Sequence, residues 1–599
     1  MLSRALLLSA AMAVTALPPL AAQTVLEWTP IAFTSGSGER AEAETAWITV
    51  PERHANPGGP KVRLPLLRFR SANPNPGPPI VYLAGGPGNS GMAAATRDLY
   101  FPIAMAMREV ADVVFYDQRG TGTAEPSLNI TGTFELPLEL PVGSSHAHAH
   151  VAARARRAAE EVRGRGVDLA AYNTVESADD LDAIRRALGA ERISLWGRSY
   201  GSHLALAYVR RHGAHVHRMI VGGVNGPGQR WRYPGDGQAL LERVDSAVRT
   251  HPRLSPLVPD LVGTTRRVLA RLDAQPARVR VDSQTVLIGG DEVRVLIALS
   301  GGELDFITRL PLLMAALDAG RYEVVAGAVV AGLKQRPMRT AMSYTMHLAS
   351  GVSPERQLRI LAEAEDALLG DAINYPFNEP GFQGAWGVEV LGEEFRGPLR
   401  SPVPALFLSG RYDGRTSVSD AEEVRAGFPN GVHVVIDGVS HDFYGATPAI
   451  RDLMMRFLRG EPVRDTLLSV PLEFHGPDEP VLVAELQRVA REQGGGAAAA
   501  RLREMAAPGA PGYLSSYVVE QAAAGLLRAD SASAAGIELL RAGVELFPRQ
   551  PVLYIRLGAA LRAAGDRTGA AEAYRRAVAL NPMLRSAAVQ LARLEGREP

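Results

Sequence analysis

The stretch Ser194-Leu195-Trp196-Gly197-Arg198-Ser199-Tyr200-Gly201-Ser202-His203-Leu204-Ala205 constrains this chain more than any other. A short apolar run enters Gly-x-Ser-x-Gly and leaves it into helix-forming residues. A strand that turns so sharply into a helix leaves room only for small residues beside the turning Ser. The Ser199 hydroxyl then stands above the carboxyl edge of a sheet, with the positive end of the following helix behind it. The motif alone is weak, because at ~7 % Gly a chain this long yields on the order of a few tenths of a chance match. Its weight comes from the strand–turn–helix setting. The bland alternative is an ordinary Gly-rich turn.

The residues around it give that turn a sheet to sit on. Residues 46–50 and 62–69 alternate as antiparallel strands, separated by a Pro- and Gly-rich loop. Residues 80–84, 112–116, 192–196, 219–221, 404–408 and 432–436 are short apolar runs, as expected for strands buried on both faces of a parallel sheet. Residues 174–188 have helical spacing, with Thr174 or Ser177 as cap and Gly189 as stop. Strand and helix alternate, which predicts a doubly wound, mostly parallel α/β sheet. Between residues 225 and 402 the alternation lapses into amphipathic helix, for example 303–319 and 354–369. An insertion there would lie over the carboxyl edge as a lid.

A chain of 599 residues is too long for one ordinary core. Arg4 precedes an apolar run at 5–17, and Leu20-Ala21-Ala22 supplies small residues before Gln23. That run is too short to span a bilayer but suits a secretory signal cleaved after Ala22. The predicted organisation is therefore a signal peptide at 1–22, sheet core at 23–224, helical lid at 225–402, returning core at 403–465 and a helical region at 480–599. In that last region Tyr554, Leu557-Gly558, Leu561, Ala570, Tyr574, Ala577 and Pro582 fit the tetratricopeptide pattern, and a degraded copy lies 34 residues earlier. Two repeats are fewer than usually stand alone, so they should pack on helices from about residue 480. They would bind a protein partner or dock on their own chain. The chain has zero net charge and no basic stripe, which speaks against nucleic acid. It has no cysteine, which excludes disulfides and thiolate catalysis. We expect a periplasmic or extracellular protein without a membrane span in its mature form.

Acyl transfer by a serine needs a base, a carboxylate to orient it and donors for the oxyanion. The acid candidate is Asp413, on a Gly-containing loop after a buried strand, where ligand-facing groups gather. The base candidate is His441, just after the next strand. Asp420 reads as a solvated helix charge and His203 as packed against the sheet. Leu83-Ala84-Gly85-Gly86-Pro87-Gly88-Asn89 follows the first buried strand, and the Gly86 amide with the Tyr200 amide would form the oxyanion hole. His146-Ala147-His148-Ala149-His150 would put three imidazoles on one face of a strand, but the Ala- and Arg-rich run after it favours a helix, which spreads them apart. It reads as a solvated segment with no adjoining carboxylate. We expect neither metal nor cofactor.

Taken together, Gly85-Gly86-Pro87-Gly88, Asp117-Gln118-Arg119-Gly120-Thr121-Gly122, Gly197-Arg198-Ser199-Tyr200-Gly201 and the Asp413 and His441 segments resemble the proline iminopeptidase/tripeptidyl aminopeptidase branch of the α/β-hydrolases, over roughly residues 25–460. The resemblance implies a secreted exopeptidase that acylates Ser199 with the N-terminal part of a peptide and reads the free ammonium with lid carboxylates. No lid motif matches the family, so Glu303 and Glu379 are candidates by location only. Asp117 and Arg119 read as loop-stabilising. A carboxylic-ester hydrolase of the same fold, or an interaction protein acting through its tail, is the alternative.

Overall fold

The computed structural model describes residues 26–133, 135–510, 513–530 and 533–597. The expected signal peptide at 1–22 lies outside the described residues. Ten strands form one sheet: β1 (Thr29–Thr34), β2 (Arg40–Pro51), β3 (Lys61–Phe69), β4 (Ile80–Leu83), β5 (Val113–Tyr116), β6 (Ile193–Arg198), β7 (Val216–Gly222), then, beyond a lid hairpin of β8 (Ala277–Val281) and β9 (Gln284–Ile288), β10 (Ala405–Gly410), β11 (Gly431–Asp437) and β12 (Thr466–Ser469). Their spatial order is β1-β2-β3-β5-β4-β6-β7-β10-β11-β12. β1, β2 and β3 are antiparallel, and every pair from β5–β4 onward is parallel. The sequence missed β1, the lid hairpin and β12. The last two are too short and too polar to stand out, and β12 carries the sheet past residue 465.

Side chains alternate across the sheet. In β4, Val81 and Leu83 face the helices Ser145–Arg163, Thr174–Ala187 and Tyr200–His212, while Ile80 and Tyr82 face Gly91–Ala95, Phe101–Met107 and Pro448–Leu458. The second face is held by aromatic rings: Tyr82 packs edge-on to Trp196 at 4.8 Å, and Tyr100, Phe115 and Tyr444 surround them. Helix Thr174–Ala187 is capped by Asn173, whose side chain accepts from the Val175 and Glu176 amides; neither Thr174 nor Ser177 serves. Residues 225–402 are largely helical; Ser343 Oγ donates to the Pro87 carbonyl at 2.6 Å, and the Gly302 carbonyl accepts from Ser440 Oγ at 2.9 Å. The expected helices there are Leu304–Asp318, with Glu303 as N-cap residue, and Pro354–Asp366.

The C-terminal region is all helical, from Glu479–Gln493 to Arg585–Leu594, with an apolar core of its own. Small residues sit where its helices cross. A side chain at Gly558 would meet the Tyr574 ring at 3.0 Å. The region packs on its own chain: Arg309 of the lid pairs with buried Glu479 at 2.8 Å, Asn581 donates to the Gly445 carbonyl, Arg585 pairs with Glu39, and Met583 joins the core beneath Pro448–Leu458. Among the described residues, no helix is long and apolar enough to cross a membrane.

Candidate active site

The register brings the carboxyl ends of five strands together. Leu83 of β4 lies opposite Gly197 of β6, Arg198 opposite Gly222 of β7, Gly222 opposite Leu408 of β10, and Gly410 opposite Ile436 of β11. The loops after these ends carry Gly86, Ser199, Gly223, Asp413 and His441. Such crevices outside the carboxyl ends are where open α/β sheets bind ligands.

Ser199 has φ 55° and ψ −122°, a conformation rare for a residue with a side chain. Packing imposes it. A Cβ at Gly201 would lie 1.9 Å from the Leu83 carbonyl oxygen, and one at Gly197 2.5 Å from the Gly201 oxygen. Only glycine at both positions lets β6 run this close to its own helix and to β4. The Ser199 amide donates to Gly222 O at 2.8 Å, and Ser202 Oγ donates back to Ser199 O at 2.6 Å.

His441 and Asp413 are both buried. His441 Nδ1 lies 2.7 Å from Asp413 Oδ2. The other Asp413 oxygen accepts the Arg415 and Thr416 amides at 2.8 and 3.0 Å, and Thr416 Oγ1 donates to Oδ2 at 2.5 Å. Burial alone would raise the Asp413 carboxyl, but the His441 charge and these hydrogen bonds outweigh it and bring it to about 2. Burial also lowers the His441 pKa, with Asp413 opposing, so the ring is neutral at neutral pH. Two contacts tie this pair to the serine turn. Gly223, next to the acceptor of the Ser199 amide, would place a Cβ 2.8 Å from His441 Cε1, and Arg198 pairs with Asp442 while reaching the His441 carbonyl at 3.4 Å. No hydrogen bond joins Ser199 Oγ to His441 in this state, which is common before substrate tightens such sites.

The Gly86 loop stands opposite. A Cβ on Gly85 would touch Ser199 Cβ at 3.1 Å, and Gly86 has φ +113°. The Asp117 loop grips it from behind: Asp117 accepts Ser90 Oγ at 2.6 Å and the Met92 amide at 3.1 Å, while Gln118 donates to Ala84 O at 3.1 Å. Arg119, fully buried, forms a two-pronged pair with Asp180 at 2.7 and 2.6 Å and donates to the Glu52 and Ala171 carbonyls. These are the stabilising contacts expected of Asp117 and Arg119. Tyr200 opens its helix, so its amide has no intrahelical acceptor.

The other expectations divide. His203 is buried between Gly226 O and Ser350 Oγ, and burial lowers its pKa to about 3. The histidines at 146, 148 and 150 lie on a helix, and no cluster able to hold a metal occurs among the described residues. Contrary to the sequence reading, a carboxylate does adjoin them: His148 Nε2 meets Glu379 Oε2 at 3.0 Å. Glu379 lines a cavity of about 320 Å³ with Asp291, Asp371 and Tyr375, and none of the residues at the three strand-end loops of Ser199, Asp413 and His441 borders it. Glu303 pairs with Arg415 at 2.8 Å, two residues past Asp413. Asp420 is not a solvated charge but 3 % exposed, between Arg232 at 3.8 Å and Arg356 at 3.5 Å, and burial raises its pKa to about 6. Sequence reasoning missed Thr416, although an Asp followed three residues on by Thr is a side-chain turn signal.

The fold is that of the α/β hydrolases, and residues 78–283 match the family described as alpha/beta hydrolase fold, while residues 385–466 match one described as TAP-like protein. Among curated proteins, the chain is 30 % identical over 212 residues to serine protease Hip1 of Mycobacterium tuberculosis, covering 34 % of this chain and 40 % of that one. It is 31 % identical over 194 residues to tripeptidyl aminopeptidase of Streptomyces lividans, covering 31 % and 36 %. Each match thus spans no more than two fifths of the relative. A solved proline iminopeptidase of Mycobacterium smegmatis aligns over 69 % of this chain and 98 % of its own, with 14 % identity and a TM-score of 0.34.

Proposed function

We propose that this chain is a serine hydrolase in which Ser199 is the nucleophile, His441 its base and Asp413 the group that orients the base. The observation that carries this reading is the buried Asp413–His441 pair at 2.7 Å, packed closely on Gly223 and reached by Arg198, beside a serine held at positive φ. His441 takes the Ser199 proton as Oγ attacks a carbonyl carbon. Asp413 accepts from Nδ1–H and stabilises the imidazolium. The amides of Gly86 and Tyr200 hold the oxyanion, each donor contributing roughly 2.7–4 kcal/mol in the transition state. His441 then protonates the leaving group, and water releases the acyl fragment by the same route in reverse.

The reaction we favour is release of N-terminal residues or short peptides, supported by relatives named tripeptidyl aminopeptidase and proline iminopeptidase. Glu303, which pairs with Arg415 of the acid loop, is better placed than Glu379 to meet a substrate ammonium. The tail we read as tetratricopeptide-like, docked on its own enzyme, and residues 1–22 as a secretory signal. Peptide anilides that differ only in a free or acetylated α-amine test the specificity. The free-amine series should be turned over at least tenfold faster, and equal rates would overturn the exopeptidase reading.

A further inference from the structure

Arg230 is buried beside the nucleophile's helix, with no carboxylate among the described residues within ion-pair distance. It is 8 % exposed. Its NH1 donates to Asn225 Oδ1 at 3.0 Å and its NH2 meets His347 Nδ1 at 3.1 Å, while Nε–H has no partner. The guanidinium lies 5.9 Å above the Tyr200 ring. Asn225 in turn donates its amide to Ser202 Oγ at 2.9 Å, the hydroxyl that bonds to Ser199 O. Arg230 is therefore fixed to the serine turn through two hydrogen-bonded residues.

The groups facing it add no negative charge. His347 lies flat on Phe377 at 3.5 Å, and burial with the Arg230 charge holds its pKa well below the usual value. Because the neutral ring accepts from Arg230 at Nδ1, its proton is on Nε2, which is also buried without a partner. His203 is neutral, and Arg232 is a second cation, directed to Asp420. Burial and Arg232 together lower the Arg230 pKa to about 9. A desolvated guanidinium costs several kcal/mol unless an anion compensates it. Here one positive charge and two unpartnered donors lie two hydrogen-bonded residues from Ser199, with a helix N-terminus adding to the positive potential.

We propose that Arg230, aided by His347 Nε2–H, binds a carboxylate carried by the substrate. One free cation matches a single negative charge, as on a carboxylate, and guanidinium geometry suits its two oxygens. The carboxylate comes from an acidic side chain on the acyl residue or from the free C-terminus of a short peptide. This inference rests on Ser199 being the nucleophile.

The test compares kcat/KM for glutamyl against glutaminyl anilides, and for dipeptides with a free C-terminal carboxylate against their C-terminal amides. One arm should favour the carboxylate by about tenfold or more. Arg230→Gln should bring that ratio to within about twofold of unity, and His347→Phe should reduce it. Ratios near unity in both arms of the wild type, a comparison that needs no variant, would overturn the proposal, as would a preference that survives Arg230→Gln. Labelling by a fluorophosphonate separates the two levels. A protein that labels at Ser199 without either preference contradicts the carboxylate site alone, whereas one that does not label contradicts the catalytic reading and this proposal with it.

Discussion

At the scale of single residues, the account turns on the protonation of two side chains. Asp413, held at about 2, stays ionised across the working range, so an acid limb in the rate belongs to His441. Burial sets the His441 pKa below the ordinary 6.5, and the base must be neutral. The acid limb of kcat/KM should therefore be centred below pH 6.5 and fall about tenfold per pH unit beneath its pKa. An acid limb centred above pH 7 would contradict this. Thr416→Val removes the hydroxyl donated to Asp413. Loss of a hydrogen bond to a charged group, ~1.5–3 kcal/mol, predicts a kcat lower by roughly tenfold to a hundredfold at nearly unchanged KM. Thr416→Ser should restore it; a rise in KM alone would mean that Thr416 acts elsewhere. Ser199, Asp413 and His441 were legible because strand-end loops and chain order point to them. Arg230 and Asp420 were not. Their significance lies in what is or is not opposite them, and spacing along the chain does not report that.

The element that most limits variation is the β6 turn. Ser199 at φ 55° stores strain of order 1–3 kcal/mol. Ser199→Gly should raise thermal stability, by about 1 kcal/mol or more, while abolishing turnover. Gly201→Ala should do the opposite: with Leu83 O only 1.9 Å from the new methyl, β4 and β6 must part, at a cost of about 3 kcal/mol or more. Both are read by thermal melting, and a neutral Gly201→Ala would show that the turn is looser than described. The strands flanking this turn were readable because burial on both faces makes them continuous apolar runs. β12 was not, since Thr466-Leu467-Leu468-Ser469 is exposed or half-exposed at the sheet edge and carries no such signature. The lid hairpin β8–β9 failed for a similar reason, its alternation covering only five residues per strand.

Across the whole molecule, the tail closes back onto the sheet domain. The helical periodicity and small residues of its last two helix pairs could be read from the sequence, but the docking contacts could not, because Glu39 and Arg585 are far apart in the chain. Met583→Ala, removing a side chain only 3 % exposed, should cost about 2–5 kcal/mol of local docking. Amide exchange should then quicken in Arg585–Leu594 and around Gly445, with β4 and β6 unchanged. Exchange that quickens everywhere would show that tail and sheet unfold as one unit. The central claim, that these parts serve a nucleophilic serine, is tested most directly by mass-spectrometric mapping of the fluorophosphonate-treated protein. We predict one adduct, on Ser199, that is lost in His441→Ala. No adduct, or one on another serine with Ser199 unmodified, would contradict the account.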